Sequence, residues 1–104
     1  MSRTFTERLT KVQTVTEMTV SDLARWFGRP RATVNTWING RTPFGPPAAI
    51  AERRLEELEH SVRTRREHYP IPAELSWKDR EKYVRGMRDD AERNYRVPRV
   101  RSAG

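Results

Sequence analysis

Apolar residues recur along this chain at the intervals of α-helices. The first such stripe predicts a helix over residues 5–14 and consists of Phe5, Leu9 and Val12. A second stripe begins after Thr19, a residue type that caps helix N-termini, and consists of Val20, Leu23, Ala24 and Phe27. Gly28 favours a stop after it, because glycine readily adopts the left-handed conformation that ends helices.

A third short helix is predicted over residues 30–39. Pro30 suits its first turn, where a missing N–H leaves no hydrogen bond unmade. Its apolar face consists of Val34, Trp37 and Ile38. Residues 42–47 are rich in Gly and Pro and predict a turn. Phe44 within this turn either packs back on the core or belongs to a small hairpin.

A longer helix is predicted over residues 48–68, ahead of the prolines in the segment 69–72 that break it. Its apolar positions are three and four residues apart, and they are Ala48, Ala51, Leu55, Leu58 and Val62. Such a stripe either closes the N-terminal core or joins two copies of the chain. We expect the second, a homodimer through Leu55, Leu58 and Val62.

The remaining sequence predicts one more helix and a tail. Ser76 with Asp79 is typical of a helix N-cap. One face of the helix consists of Trp77, Val84, Met87, Ala91 and Tyr95. The predicted fold class is therefore all-α. We divide the chain into a domain of short helices at 1–47, a connecting helix at 48–68, a C-terminal helical segment at 69–95 and a basic flexible tail at 96–104.

Composition indicates a small domain with an anionic partner. Of 104 residues, 35% are hydrophobic and 34% are charged, so the core is small. The net charge of +7 favours nucleic acid over a membrane surface. Positive charge gathers in residues 1–45 and 93–104, whereas the middle of the chain is nearly balanced.

Several classes of function lack support in the sequence. There is no cysteine, which excludes disulfides and thiolate metal sites. No apolar run reaches the roughly 18 residues of a membrane span and no signal-peptide core is present, so we expect a cytoplasmic protein. His60 and His68 lack metal-ligand spacing, and no catalytic motif appears. We therefore expect no enzyme activity, metal or cofactor.

Four spaced residues carry a family resemblance: Ala24, Gly28, Val34 and Trp37. The pattern resembles the helix-turn-helix DNA-binding domains of phage repressors and Cro-type regulators. It consists of a small residue, a turn glycine and two apolar residues that pack into the core, at these intervals. Some similarity extends to excisionase and MerR-like domains, which add a wing. The resemblance covers residues 5–50 and is strongest over 19–40. The long helix downstream departs from the repressor pattern, so the repressor-like and winged variants both stay open.

The resemblance implies that helix 30–39 is a recognition helix in the major groove. The residues that point away from its apolar face are Arg31, Ala32, Thr33, Asn35, Thr36 and Asn39. Arginine can grip guanine, asparagine can grip adenine, and methyl groups can touch thymine. Near the helix ends, three arginines suit phosphates, and these are Arg25, Arg29 and Arg41.

The function that follows is sequence-specific binding of double-stranded DNA, as a transcriptional regulator of a phage or bacterium. A first alternative is a packaging or recombination factor, such as a small terminase subunit or an excisionase-like protein. Those proteins also join a helix-turn-helix to an oligomerising helix. A second alternative is a protein-interaction module such as an antirepressor, which predicts no DNA affinity at moderate salt. The basic tail is either an arm that seeks phosphates or a solubilising segment.

Overall fold

The fold is all-α, as the periodicity predicts. The computed structural model describes residues 4–95, and no strand occurs within them. It contains five α-helices: α1 at Phe5–Thr16, α2 at Val20–Phe27, α3 at Arg31–Ile38, α4 at Pro47–Thr64 and α5 at Trp77–Asn94. A 3₁₀ turn at Arg66–His68 follows α4. The tail predicted at 96–104 lies outside the described residues.

Reciprocal capping begins the first two helices. The Thr19 hydroxyl accepts the Asp22 N–H at 3.1 Å, and the Asp22 carboxylate accepts the Thr19 N–H at 2.9 Å. Thr4 and Glu7 form the same pair of bonds at the start of α1. Each box satisfies two backbone donors that a helix N-terminus otherwise leaves open. The predicted cap at Thr19 is confirmed.

Helix α1 continues to Thr16, two residues beyond its predicted end. The threonines near its C-terminal end fit into the helix for a local reason. The Thr14 hydroxyl donates to the Thr10 carbonyl at 3.0 Å, and the Thr16 hydroxyl donates to the Val12 carbonyl at 2.7 Å. These bonds satisfy the hydroxyls inside the helix, so threonine is accommodated there.

The turn between α2 and α3 depends on Gly28. Its φ of 67° lies in the left-handed region, and its N–H donates to the Ala24 carbonyl. Pro30 then adopts an extended conformation as the N-cap of α3, so helical geometry begins one residue later than predicted. The helix ends at Ile38, with Asn39 as its C-cap.

Helix α4 ends at Thr64, four residues before the predicted end. Arg65 has a φ of −125° and a ψ of 49°, which leaves the helical region. After the following turn the chain returns to α1, where the Ile71 N–H donates to the Thr16 carbonyl at 3.0 Å. Ile71 is buried by this return.

One hydrophobic core is shared by all five helices. Its fully enclosed apolar side chains are Leu9, Leu23, Trp26, Val34, Leu55, Leu58 and Val84. Leu55 and Leu58 are each 0% exposed, so the stripe on α4 closes the core of a single chain. The expected dimer contact through these two leucines is corrected accordingly. Only Val62 of the three predicted interface residues reaches the surface.

The burial of three aromatic residues could not be read from the hydrophobic pattern. Trp26 is 1% exposed, and its indole N–H donates to the Arg54 carbonyl at 2.9 Å. Trp77 is 67% exposed and does not belong to the buried face of α5. It is the first residue of α5, and the buried stripe begins two turns later at Val84. Phe44 is 83% exposed, so it does not pack on the core, and residues 4–95 contain no strand that could form the alternative hairpin.

Helix α5 is attached to α2 through a buried carboxylate. The Arg80 Nε donates to Asp22 at 2.7 Å, and the Asp22 side chain is fully enclosed. A second Arg80 N–H donates to the Glu17 carbonyl at 2.9 Å. A residue that caps α2 therefore also holds the C-terminal helix in place.

Arg8 on α1 makes a second long-range attachment, to α4. Its guanidinium donates two hydrogen bonds to Glu59, at 3.0 and 2.7 Å, and a third to Glu52. The hydrogen bonds to Glu59 raise the pKa of Arg8 above its ordinary value, against the lowering effect of burial.

Among residues 4–95, no helix combines the length and apolar character needed to cross a membrane.

Candidate nucleic-acid interface

Helix α3 is held against the rest of the fold by an aromatic cluster. The Trp37 ring lies 5.4 Å from both the Phe5 and the Phe27 ring, edge to face in each case. The Thr6 hydroxyl donates to the Trp37 carbonyl at 2.6 Å. Val34, on the same side of α3, is fully buried. The prediction that Val34 and Trp37 point inward is confirmed, and it fixes which flank of α3 faces outward.

The outward flank of α3 carries the residues that were predicted to contact bases. Five of the six are exposed, and these are Arg31, Ala32, Asn35, Thr36 and Asn39. Thr33 is half-buried and lies at the edge of this flank. The structure thus brings all six together: five lie on α3 itself, and Asn39 is its C-cap.

The polar side chains on this flank differ in whether they already form hydrogen bonds within the chain. The Thr36 hydroxyl donates to the Thr33 carbonyl at 2.6 Å, and Arg31 donates to the Ser21 hydroxyl at a long 3.4 Å. The side-chain amides of Asn35 and Asn39 make no hydrogen bond to any described residue. Two amides with free donors and acceptors therefore face outward beside a weakly held guanidinium.

The three arginines that were predicted to bind phosphates separate into two groups. Arg29 and Arg41 are exposed at opposite ends of α3, and the Arg41 backbone N–H donates to the Thr36 carbonyl at 3.0 Å. Arg25 is different, because its guanidinium lies 3.4 Å from Asp22 and 3.5 Å from Glu81. These carboxylates already pair its charge, so Arg25 is less free than Arg29 and Arg41 to bind a phosphate.

A charge signal in the sequence accompanies this geometry. No Asp or Glu lies between Asp22 and Glu52, although about a quarter of the residues in a typical protein are charged. That acid-free stretch holds four arginines and includes the whole of α3 with the turns on either side. Counting net charge over residues 1–45 obscures this feature, because the acids of that segment all precede α3.

A groove of about 300 Å³ runs between α3 and the loop that follows it. Its polar lining includes Arg29, Thr33, Thr36 and Arg41, and Phe44 forms part of its rim. The two guanidinium groups and the Thr33 hydroxyl can donate hydrogen bonds to an anion, whereas the single hydrogen of the Thr36 hydroxyl is already donated to the Thr33 carbonyl. Phe44 was missed as a candidate functional residue, because an aromatic residue in a Gly/Pro turn looks like a core residue in sequence.

The titratable residues with altered pKa values lie away from α3. Burial raises the pKa of Tyr69 to about 12, although a hydrogen bond with the Ser61 hydroxyl opposes the change. Burial also raises the pKa of Tyr83 and of Tyr95. No cluster of three His, Asp or Glu residues suited to a metal ion occurs within residues 4–95.

No protein-family model matches the chain, and no curated protein or solved structure is detectably similar to it. The features of this chain that indicate a function are therefore those of the α3 surface itself: its exposure, its free polar groups and its lack of negative charge.

Proposed function

We propose that this protein binds double-stranded DNA in a sequence-specific manner and acts as a transcriptional regulator in a bacterium or phage. α2, the Gly28 turn and α3 form its helix-turn-helix unit, and α3 lies in the major groove. The observation that carries the proposal is the division of α3 into two flanks. Val34 and Trp37 are anchored inside, and a polar, uncharged-to-basic surface faces outward.

The dimensions of α3 suit this role. A helix with its side chains is about 10–12 Å in diameter, which fits the roughly 12 Å width of the major groove, and the eight residues of α3 extend for about 12 Å. Arg31 can donate two hydrogen bonds to guanine, and Asn35 can pair with both the donor and the acceptor on the major-groove edge of adenine. Ala32 offers a methyl group that can contact the methyl of thymine.

The ends of α3 suit the two flanking phosphate backbones. Arg29 precedes the helix and Arg41 follows it, and both are exposed. No side chain caps the N-terminus of α3, and its first turn holds no acidic residue. The backbone N–H groups and the helix dipole therefore favour an anion at that end. Contacts to phosphates would position α3, and the exposed flank would supply specificity.

The test compares two variants on two kinds of DNA. Arg31→Ala and Asn35→Ala should each weaken binding to a selected site by about 1–3 kcal/mol and leave binding to random duplex nearly unchanged. Arg85→Ala is the matched control for Arg31→Ala, because Arg85 is exposed on α5 and both substitutions remove one positive charge. Equal losses on both kinds of DNA for Arg31→Ala and Asn35→Ala would show that this flank does not read bases.

A further inference from the structure

Phe44 is the most exposed large hydrophobic residue of the described chain, at 83%. Covering an exposed aromatic ring removes apolar surface from water and is therefore favourable. Single exposed apolar residues are nevertheless common, so exposure alone does not indicate a binding site. The position of Phe44 distinguishes it from such residues. It stands at the rim of the groove beside α3, within the acid-free stretch and three residues after Arg41.

The loop from Arg41 to Pro47 holds this ring in a defined place. Pro43 and Pro46 restrict the backbone on either side of Phe44. Gly45 takes a left-handed φ of 70°, and its carbonyl accepts the Ala48 N–H at 3.0 Å. Both ends of the loop are thus tied to helices, so little conformational entropy remains to be lost when the ring is covered.

The chemistry around the ring indicates what covers it. Arg29 and Arg41 line the adjacent groove, and no carboxylate occurs in this stretch of chain. A partner must therefore offer negative charge and a flat apolar surface within a few ångströms of each other. A nucleic acid does so, because each base lies next to its own phosphate.

We propose, on the basis of the proposed function, that Phe44 is a second DNA-contacting residue, which inserts its ring between base pairs from the minor groove. With α3 across the major groove, Arg41 reaches the sugar–phosphate backbone at the groove edge. Phe44 lies three residues further on, and three extended residues span about 10 Å, which is enough for its ring to pass the backbone and enter the neighbouring minor groove. Apolar wedges of this kind unstack a base step and kink the duplex.

The proposal also specifies where in a binding site the ring acts. Pyrimidine–purine steps unstack most easily, so one such step is expected on the side of the site that the C-terminal end of α3 faces. Specificity at that step arises from the ease of deformation, and no hydrogen bond to the base is needed.

The experiment uses the full chain and a duplex selected by it from random sequence, with dyes at the duplex ends and 2-aminopurine at the flanking step. Phe44→Ala should weaken binding about 5- to 150-fold, the range for loss of one aromatic contact to a base. It should also abolish the bend seen by energy transfer and the rise in 2-aminopurine fluorescence. Phe44→Leu should keep both signals, because leucine also serves as a wedge.

Trp77→Ala is the control, since Trp77 is an aromatic residue of similar exposure, 67%, that lies on α5 and not in the loop after α3. It should change neither affinity nor bending. If the unaltered protein binds the duplex and Phe44→Ala binds and bends it equally well, the inference about Phe44 is wrong and the function stands. If the unaltered protein selects no duplex at all, the proposed function fails, and this inference fails with it.

Discussion

Replacing Trp37 with alanine tests whether the inner flank of α3 is anchored as described. Trp37 is 5% exposed and its ring packs edge to face on Phe5 and on Phe27, each 5.4 Å away. Truncation of a buried Trp to Ala usually lowers the free energy of unfolding by about 3–5 kcal/mol. Each edge-to-face pair adds about 0.5–1.5 kcal/mol beyond the buried area, which places this site near the upper end of that range.

Such a loss is large beside the total stability of a domain of this size, about 5–15 kcal/mol. The assay is urea unfolding followed by far-UV circular dichroism, with Trp77→Ala as the matched control. Trp77 is mostly exposed, and the Lys78 ammonium lies 5.6 Å from its ring centroid, so its truncation should cost less than about 1 kcal/mol. Similar losses for the two variants would refute the inward orientation of Trp37, and with it the assignment of the outer flank.

Three further predictions concern the elements that surround α3. Gly28→Ala should destabilise the protein by about 1–2 kcal/mol, because alanine is strained at a φ of 67°. The control Gly86→Ala, inside α5, should stabilise it by about 0.5–1 kcal/mol. If urea unfolding showed changes in the free energy of unfolding of the same sign for both variants, this prediction would be contradicted. Arg80→Ala should cost about 2–3 kcal/mol in the same measurement, because it removes the principal partner of the buried Asp22 carboxylate; a loss below about 0.5 kcal/mol would be inconsistent with the attachment of α5 to α2. The free energy of unfolding should fall as the pH rises from 10 towards 12, because folding raises the pKa of Tyr69 to about 12 and so favours its neutral phenol. In Tyr69→Phe this fall should be shallower. A fall of the same steepness in Tyr69→Phe would assign the effect to other groups.

The parts of the fold that follow local rules could be predicted from the sequence. Thr19 and Gly28 mark the two ends of α2 by their own chemistry, a capping hydroxyl and a left-handed turn. The inward orientation of Val34 and Trp37 follows from helical spacing alone. These features involve residues within a few positions of each other, so a short window of sequence contains the information.

Features that depend on distant residues could not be predicted in this way. The carboxylate of Asp22 pairs with Arg80, 58 residues away, and nothing in the local sequence of either residue indicates the partner. The stripe that includes Leu55 has the same spacing whether its own chain or a second copy covers it, so the dimer assignment could not be settled from periodicity. Burial shows that Leu55 is covered by its own chain, because Leu55 is 0% exposed there.

The candidate site lies between these cases. Its exposed residues on α3 follow from the helical pattern, and the acid-free stretch around them is visible in the sequence. The pairing of Arg25 with Glu81 is not visible there, because it joins α2 to α5. Phe44 also required the structure, since its exposure depends on where the loop after α3 runs.

The central claim is that the outer flank of α3 reads base edges in duplex DNA. The most direct measurement is selection of bound duplexes from a random pool by the purified protein, repeated with Asn35→Ala. The account predicts that the unaltered protein enriches one short sequence and that the variant loses preference at a position occupied by adenine, while the rest of the sequence is still enriched. Enrichment of no sequence, or of the same sequence by both proteins with equal preference at every position, would contradict it.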